Sequence, residues 1–227
     1  MAETIIKGSR TYPTAVLLTF SGGFLDAYTY FERGGVFANA QTGNIIKLGL
    51  SLAGSEYMLC LRYLVPIMAF VLGILAVMVI EDWMDRHDIK LKRRTILAIE
   101  TLCFVMVALI PQREETNIIA NTLVSFACAM QMGGFKQFVG QVIATTVSTG
   151  NLRKAIEFLY LGCTKHDQKD LLVSLQYGFI VLVFILGVFI GAESSMILHT
   201  YSILVPAAIS VTTIFLITKH NKDKGII

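Results

Sequence analysis

The sequence predicts an all-α polytopic membrane protein of six transmembrane helices, built as two inverted three-helix repeats that each carry a short broken or re-entrant segment. Three observations predict it. The first is composition: 55% of the 227 residues are hydrophobic and only 15% are charged, with a mean hydropathy of +0.66. A soluble globular chain has about 45–50% apolar and about 25% charged residues, so too few charges exist here to coat a soluble enzyme. The second is a set of apolar runs long enough for about six spans at roughly 20 residues each. The third is an internal match between Thr42-Gly43-Asn44-Ile45-Ile46-Lys47 and Thr149-Gly150-Asn151-Leu152-Arg153-Lys154, 107 residues apart.

The spans are expected at 14–32, 58–80, 95–111, 116–135, 170–191 and 197–218, in one membrane domain over 1–227. Helices are the economical choice, because a backbone in lipid must satisfy its own hydrogen bonds. Span 1 follows Lys7 and Arg10 and contains Asp26, and it reads as a retained span instead of a cleaved signal. Pro66 and Pro206 are expected to kink spans 2 and 6. With this topology 15 Lys and Arg residues fall on one side and four on the other, namely Arg33, Lys47, Arg62 and Arg113. The positive-inside rule then places both termini in the cytoplasm of a cell membrane protein. Trp83, Tyr12 and Tyr57 sit where an aromatic belt is expected.

Each half, about 14–111 and about 116–218, reads as span, T-G-N segment, span, span. Three is an odd number, so the second half inserts upside down, as in many secondary transporters. Gly43 is expected to provide a sharp turn, and Thr42 and Asn44 to cap a short helix from Asn44 to Ala53, about 15 Å long. Asn151 to Leu161 is its expected partner. The two helix N-termini would then meet near the midplane and form a polar site. The alternative, a pair of interfacial amphipathic helices, suits Lys47 and Arg153-Lys154.

Asp26, within Gly22-Gly23-Phe24-Leu25-Asp26-Ala27, lies at membrane depth, where a carboxylate costs several kcal/mol unless paired, neutralised or hydrated. Ion coupling, substrate contact, pairing with Lys47 and an interhelical hydrogen bond are its open roles. Sliding the halves so that Gly23 meets Ala129 sets Asp26 opposite Met132, beside Gln131. Glu100, two turns into span 3, is expected to snorkel toward Lys92–Arg94 or to form a second acidic site. The candidate substrate- or ion-binding residues are Asp26, Thr42, Gly43, Asn44, Lys47, Gln131, Thr149, Gly150, Asn151 and Lys154. No Walker A, G-x-S-x-G, H-E-x-x-H or C-x-x-C motif occurs, so no enzyme activity, metal or cofactor is expected.

Gly23-Phe24-Leu25-Asp26-Ala27, Gly34-Gly35-Val36-Phe37 and Thr42-Gly43-Asn44, with Ala144-Thr145-Thr146 to Thr149-Gly150-Asn151-Leu152, resemble the YoaK-like family of bacterial multi-pass membrane proteins, a domain of unknown function. The resemblance spans nearly the whole chain and implies an inner or plasma membrane protein of about six spans, with no substrate assigned. This chain departs from the family at Gln131-Met132-Gly133, where Gln-Asn-Ala is usual. The expected function is a small secondary transporter or channel-like permease, with a non-transporting lipid- or partner-binding scaffold as the alternative. The expected partners are the bilayer, a small-molecule or ion substrate and a second copy of the chain, with no nucleic acid.

Overall fold

The structure is a computed structural model that describes residues 12–89, 91–135, 145 and 148–223. Lys7, Arg10, Lys90, Lys136 and Lys224 of the charge tally, and Ala144 and Thr146 of the family motif, lie outside these residues. The described chain is all-helical: α1 (Tyr12–Glu32), α2 (Gln41–Ala53), α3 (Tyr57–Arg86), α4 (Lys92–Leu109), α5 (Glu114–Gly134), α6 (Ser148–Lys165), α7 (Gln168–Leu198) and α8 (Leu204–Asp223), with a 3₁₀ segment at His199–Ile203.

Two stretches, Tyr57–Arg86 and Gln168–His220, are long and apolar enough to cross a membrane. At 1.5 Å per residue α3 and α7 are about 45 Å long. Both present large apolar side chains outward, including Leu72, Leu75 and Met78 on α3 and Leu182, Ile185 and Phe189 on α7, each at least half exposed. Helices α1 and α5 are more polar in sequence and are the most enclosed. Thr19, Ser21, Asp26 and Thr29 on α1, and Asn121, Ser125 and Gln131 on α5, are all buried. A helix screened by its neighbours does not need an apolar surface to sit in an apolar surround, which accounts for the lower hydropathy of these two.

α1 packs along α7, and α5 along α3; α2 lies on α3, and α6 on α7; α4 packs against α8 and α5, and α8 reaches α1. The α1–α7 and α3–α5 crossings are both glycine-lined. A Cβ on Gly23 would lie 2.2 Å from the Phe184 carbonyl oxygen, and one on Gly73 would lie 2.5 Å from that of Phe126. Backbones come this close only where no side chain intervenes.

Two apolar clusters fill the interior. One gathers Phe24, Tyr28, Phe104, Val107, Val124 and Ala207; the other gathers Leu18, Val77, Leu97, Met130, Tyr177 and Ile180. Order of membership gives the helix directions. α1, α4 and α7 run from the second cluster toward the first, while α3, α5 and α8 run the opposite way. Ser21, Glu100 and Ser210 fall between the two clusters along their helices, and all three are fully buried. Glu100 therefore does not snorkel: it is enclosed, and neither of its carboxyl oxygens has a hydrogen-bond partner among the described residues. The nearby Ser210 hydroxyl donates instead to the Pro206 carbonyl at 3.1 Å.

Three local expectations change. Pro206 does not kink a span: the last stretch divides into the end of α7, the 3₁₀ segment and α8, and Pro206 occupies the first turn of α8, where its missing N–H leaves no helical bond unmade. Pro66 does lie inside α3. The sharp turn after α1 is made by Gly34 and Gly35, at φ of +80° and +74°, which only glycine adopts readily. Gly43 is instead helical, and its missing Cβ leaves room for the Phe37 ring, which a Cβ there would meet at 2.8 Å.

Candidate functional site

Asp26 is the natural starting point, because a carboxylate buried on the inner helix of a bundle needs partners. It is 5% exposed. Its Oδ1 accepts from the backbone N–H of Asn39 at 2.8 Å and of Ala40 at 3.3 Å. Bonds of this kind each contribute about 1 kcal/mol. The loop between α1 and α2 is thus wrapped around the carboxylate. Asn39 ties it further by donating from Nδ2 to the Gly22 carbonyl at 2.9 Å, and the Ala38 N–H donates to Thr29 Oγ1 at 3.1 Å. Asp26 does not pair with Lys47. The Lys47 ammonium donates to the Gly35 carbonyl and lies over the rings of Tyr30 and Phe37, at 4.9 and 5.0 Å from their centroids.

The T-G-N segments are helical, and both helices begin three residues before the expected Asn. α2 starts at Gln41 and α6 at Ser148, positions that keep the 107-residue offset of the motif. Thr42 and Thr149 therefore occupy the second position of each helix. Asn44 does not cap α2; it holds the preceding loop. Fully buried, it accepts from the Phe37 N–H at 3.0 Å and donates to the Phe37 carbonyl at 2.7 Å and to Gln41 Oε1 at 2.9 Å. Asn44→Ala would strand the Phe37 N–H and carbonyl. We expect it to destabilise by about 2–4 kcal/mol and to lower the unfolding temperature in detergent by more than about 4 °C. Asn44→Asp keeps the acceptor and should fall between.

Between these elements lies a cavity of about 590 Å³. Asp26 lines it. So do Gln41 and Thr42 from the start of α2, and Ser148 and Thr149 from the start of α6. Asn39 also lines it, and the rest of the described wall is largely apolar, with Tyr30, Phe31, Phe37, Phe70 and Phe184 contributing rings and Met132 closing the α5 side. Three of the ten candidate residues, Asp26, Thr42 and Thr149, thus share one space. Asp26 and Met132, set opposite each other by sliding one half over the other, both line it, and Gln131 does not.

The other candidates lie elsewhere. Gln131 is buried behind this wall and donates from Nε2 to Thr145 Oγ1 at 3.1 Å and to the Leu18 carbonyl at 3.4 Å. Gly43 packs on Phe37, and Gly150 faces open space. Asn151 is buried at the base of α6. Lys154 sits over the Phe158 ring at 5.9 Å. Asn39 and the lining aromatics were not singled out from sequence. The signal for Tyr30 was available: it lies four residues after Asp26, one turn along the same helix face.

No curated protein and no solved structure matches this chain. The family described as "Protein of unknown function (DUF1275)" matches over residues 14–216, a stretch that contains the G-F-L-D-A sequence, both T-G-N segments and every residue lining the cavity. The match agrees with the resemblance carried by those motifs, and the chain belongs to the DUF1275 family of proteins of unknown function.

Proposed function

We propose that this protein is a six-span membrane permease made of two inverted repeats, with its site between the starts of α2 and α6. The observation that carries the proposal is the single cavity reached by Asp26 and by both T-G-N helices at equivalent positions. Sites of this kind form where discontinuous helices meet at a repeat interface.

Further features support the same reading. Exchanging α1–α4 with α5–α8 pairs the main packing contacts, while the short α3–α4 contact has no counterpart of that size among the described residues. The α1–α7 contact maps onto α5–α3, α2–α3 onto α6–α7, and α4–α5 onto α8–α1, while α4–α8 maps onto itself. The two inner helices, α1 and α5, run in opposite directions, as inversion requires. The exposed faces of α3 and α7 suit contact with lipid chains. Arg86, Lys92, Arg93, Arg94 and Lys219 belong to helix ends at the Leu18–Tyr177 cluster, and Arg33, Arg62 and Arg113 to the other end. That polarity makes the first end cytoplasmic.

A permease exposes its site to both faces in turn, and this can be tested without knowing the substrate. Thr42→Cys and Thr149→Cys are placed separately in a Cys163→Ser background, since Cys60, Cys103 and Cys128 are buried. Each variant is treated with a membrane-impermeant thiol reagent in right-side-out and in inverted vesicles. We expect labelling from both faces at both positions. Labelling from one face alone at both positions overturns the permease and leaves a one-sided binding protein.

A further inference from the structure

We propose that the cavity between α2 and α6 takes a monovalent organic cation with an apolar or aromatic body. The inference rests on the permease reading for the role of the site, but its ligand class is argued from charge and surface alone. Asp26 is the one acid among the described residues that line the cavity, and no Lys, Arg or His is among them. The lysines that follow the T-G-N motifs are turned elsewhere. Lys47 does not line the cavity: its ammonium donates to the Gly35 carbonyl and lies over the Tyr30, Phe37 and Tyr63 rings, and Lys154 lies over Phe158.

The helix ends do not reverse this sign. At the α2 terminus the Gln41 and Gly43 N–H groups already donate to the Asn39 and Ala40 carbonyls, both at 2.8 Å. The Asn39 and Ala40 N–H groups are taken by Asp26 itself. The α6 terminus supplies at most about half a unit of positive charge, less than the carboxylate it faces. A lone carboxyl group in a largely apolar wall favours a cation, whose charge holds it ionised, and one with little hydration of its own.

The wall specifies the rest of the ligand. Phe31, Phe70 and Phe184 line the cavity, and no Lys or Arg among the described residues covers their rings. Aromatic faces bind quaternary and alkylated ammonium groups well, because such cations are weakly hydrated. Besides Asp26, the polar side chains that line the cavity are Thr42, Ser148, Thr149, Gln41, Asn39 and the Tyr30 phenol, available to orient a bound molecule. A small inorganic cation would need several oxygen ligands, which an aromatic wall does not supply. The volume of about 590 Å³ lies in the usual range for small-molecule pockets.

The test uses the full chain in nanodiscs with benzyltrimethylammonium as probe, its binding read by calorimetry, and phenylacetate as an anion of similar size. We expect saturable binding of benzyltrimethylammonium and none of phenylacetate. Asp26→Asn keeps an oxygen for the Asn39 and Ala40 N–H groups, so the loop is retained, and it should weaken binding at least about tenfold. Phe184→Leu leaves Asp26 untouched and should weaken it about threefold to tenfold. Preferential binding of phenylacetate, or binding of the cation that neither variant alters, overturns the proposal. Absence of cation binding with labelling of Thr42→Cys and Thr149→Cys from both faces sinks the ligand class alone. Cation binding with labelling from one face sinks the permease alone.

Discussion

Arg33→Ala is expected to abolish most folded protein, although Arg33 lies outside the cavity. Its side chain is fully buried and is the largest of the enclosed side chains. Nε donates to the Tyr28 hydroxyl at 2.9 Å. One terminal nitrogen donates to the Val107 and Ile110 carbonyls at 3.1 and 3.0 Å, and the other to the Pro111 carbonyl at 3.3 Å. These carbonyls belong to the last turn of α4 and the residues just after it, where Val107 accepts also from the Ile110 N–H at 3.1 Å and Pro111 from Thr116 Oγ1 at 2.6 Å. The guanidinium therefore caps α4 and sits at the negative end of its dipole. Asn121 holds the same residue from α5 by donating to the Arg33 carbonyl at 2.8 Å.

Removing the side chain leaves three carbonyls and a phenol without this donor, in a space that water enters poorly. Breaking a buried charged network in this way costs about 3–5 kcal/mol. Because Arg33 directly precedes Gly34-Gly35 and the loop that wraps Asp26, the loss should also loosen the cavity wall. Arg33→Lys keeps the charge but brings one compact ammonium in place of a planar fork, so it should recover only part of the stability. Size-exclusion profiles and melting curves in mild detergent measure both variants. An Arg33→Ala protein that melts within about 2 °C of wild type would show that the α4 end finds other partners.

Arg33 also marks a limit of what the sequence conveys. As a letter between span 1 and a glycine pair it counts as a loop charge on the less basic side. Nothing in the linear pattern says that it folds back 74 residues away onto α4. The features that were legible are periodic or repeated. Each expected apolar run falls largely within one described helix, although α3 and α7 run six and seven residues past the ends expected for them and α8 begins seven residues late. Thr42, Thr149 and Asp26 were legible because repetition and a charge at depth both call for a reason.

Asn44 and Gln131 were candidates for binding, with interhelical bracing the other reading of Gln131, because polarity in an apolar run does not distinguish a binding group from a brace. Asn44 braces the loop through Phe37, and Gln131 braces α5 against Leu18 and Thr145. The lining aromatics were lost among 14 Phe and 8 Tyr residues, most of which have ordinary packing or surface roles. Glu100 was expected to reach the basic cluster at Lys92–Arg94, but the turn of α4 carries it inward toward α8. Direction around a helix axis depends on which neighbours enclose it, and a single sequence does not state that.

Gly23→Ala and Gly187→Ala should each cause a large loss of stability and, combined, less than the sum of the two. A Cβ on Gly23 would lie 2.2 Å from the Phe184 carbonyl oxygen, and one on Gly187 would lie 2.2 Å from that of Phe20. Gly191, four residues on, meets the Phe24 backbone at 2.8 Å in the same sense. Gly187 and Gly191 thus form the small-xxx-small stripe that lets two spans touch backbone to backbone. No rotamer relieves such a clash, because both the added atom and the atom it meets are fixed to backbone. The helices must separate, and each substitution is expected to cost about 1–3 kcal/mol or more. Once separated by the first methyl group, α1 and α7 have room for the second, so the pair should show a coupling of opposite sign to the single effects. Phe184 and Val188 line the cavity from α7, so the same separation should draw that wall away from Asp26 and weaken cation binding. Gly178→Ala supplies the control on the same helix. Its Cβ would meet nothing within 4 Å, and alanine favours helix over glycine by about 1 kcal/mol, so this variant should melt at or above the wild-type temperature. Equal losses at 178 and 187 would mean that glycine content, not close approach to α1, governs the stability of α7.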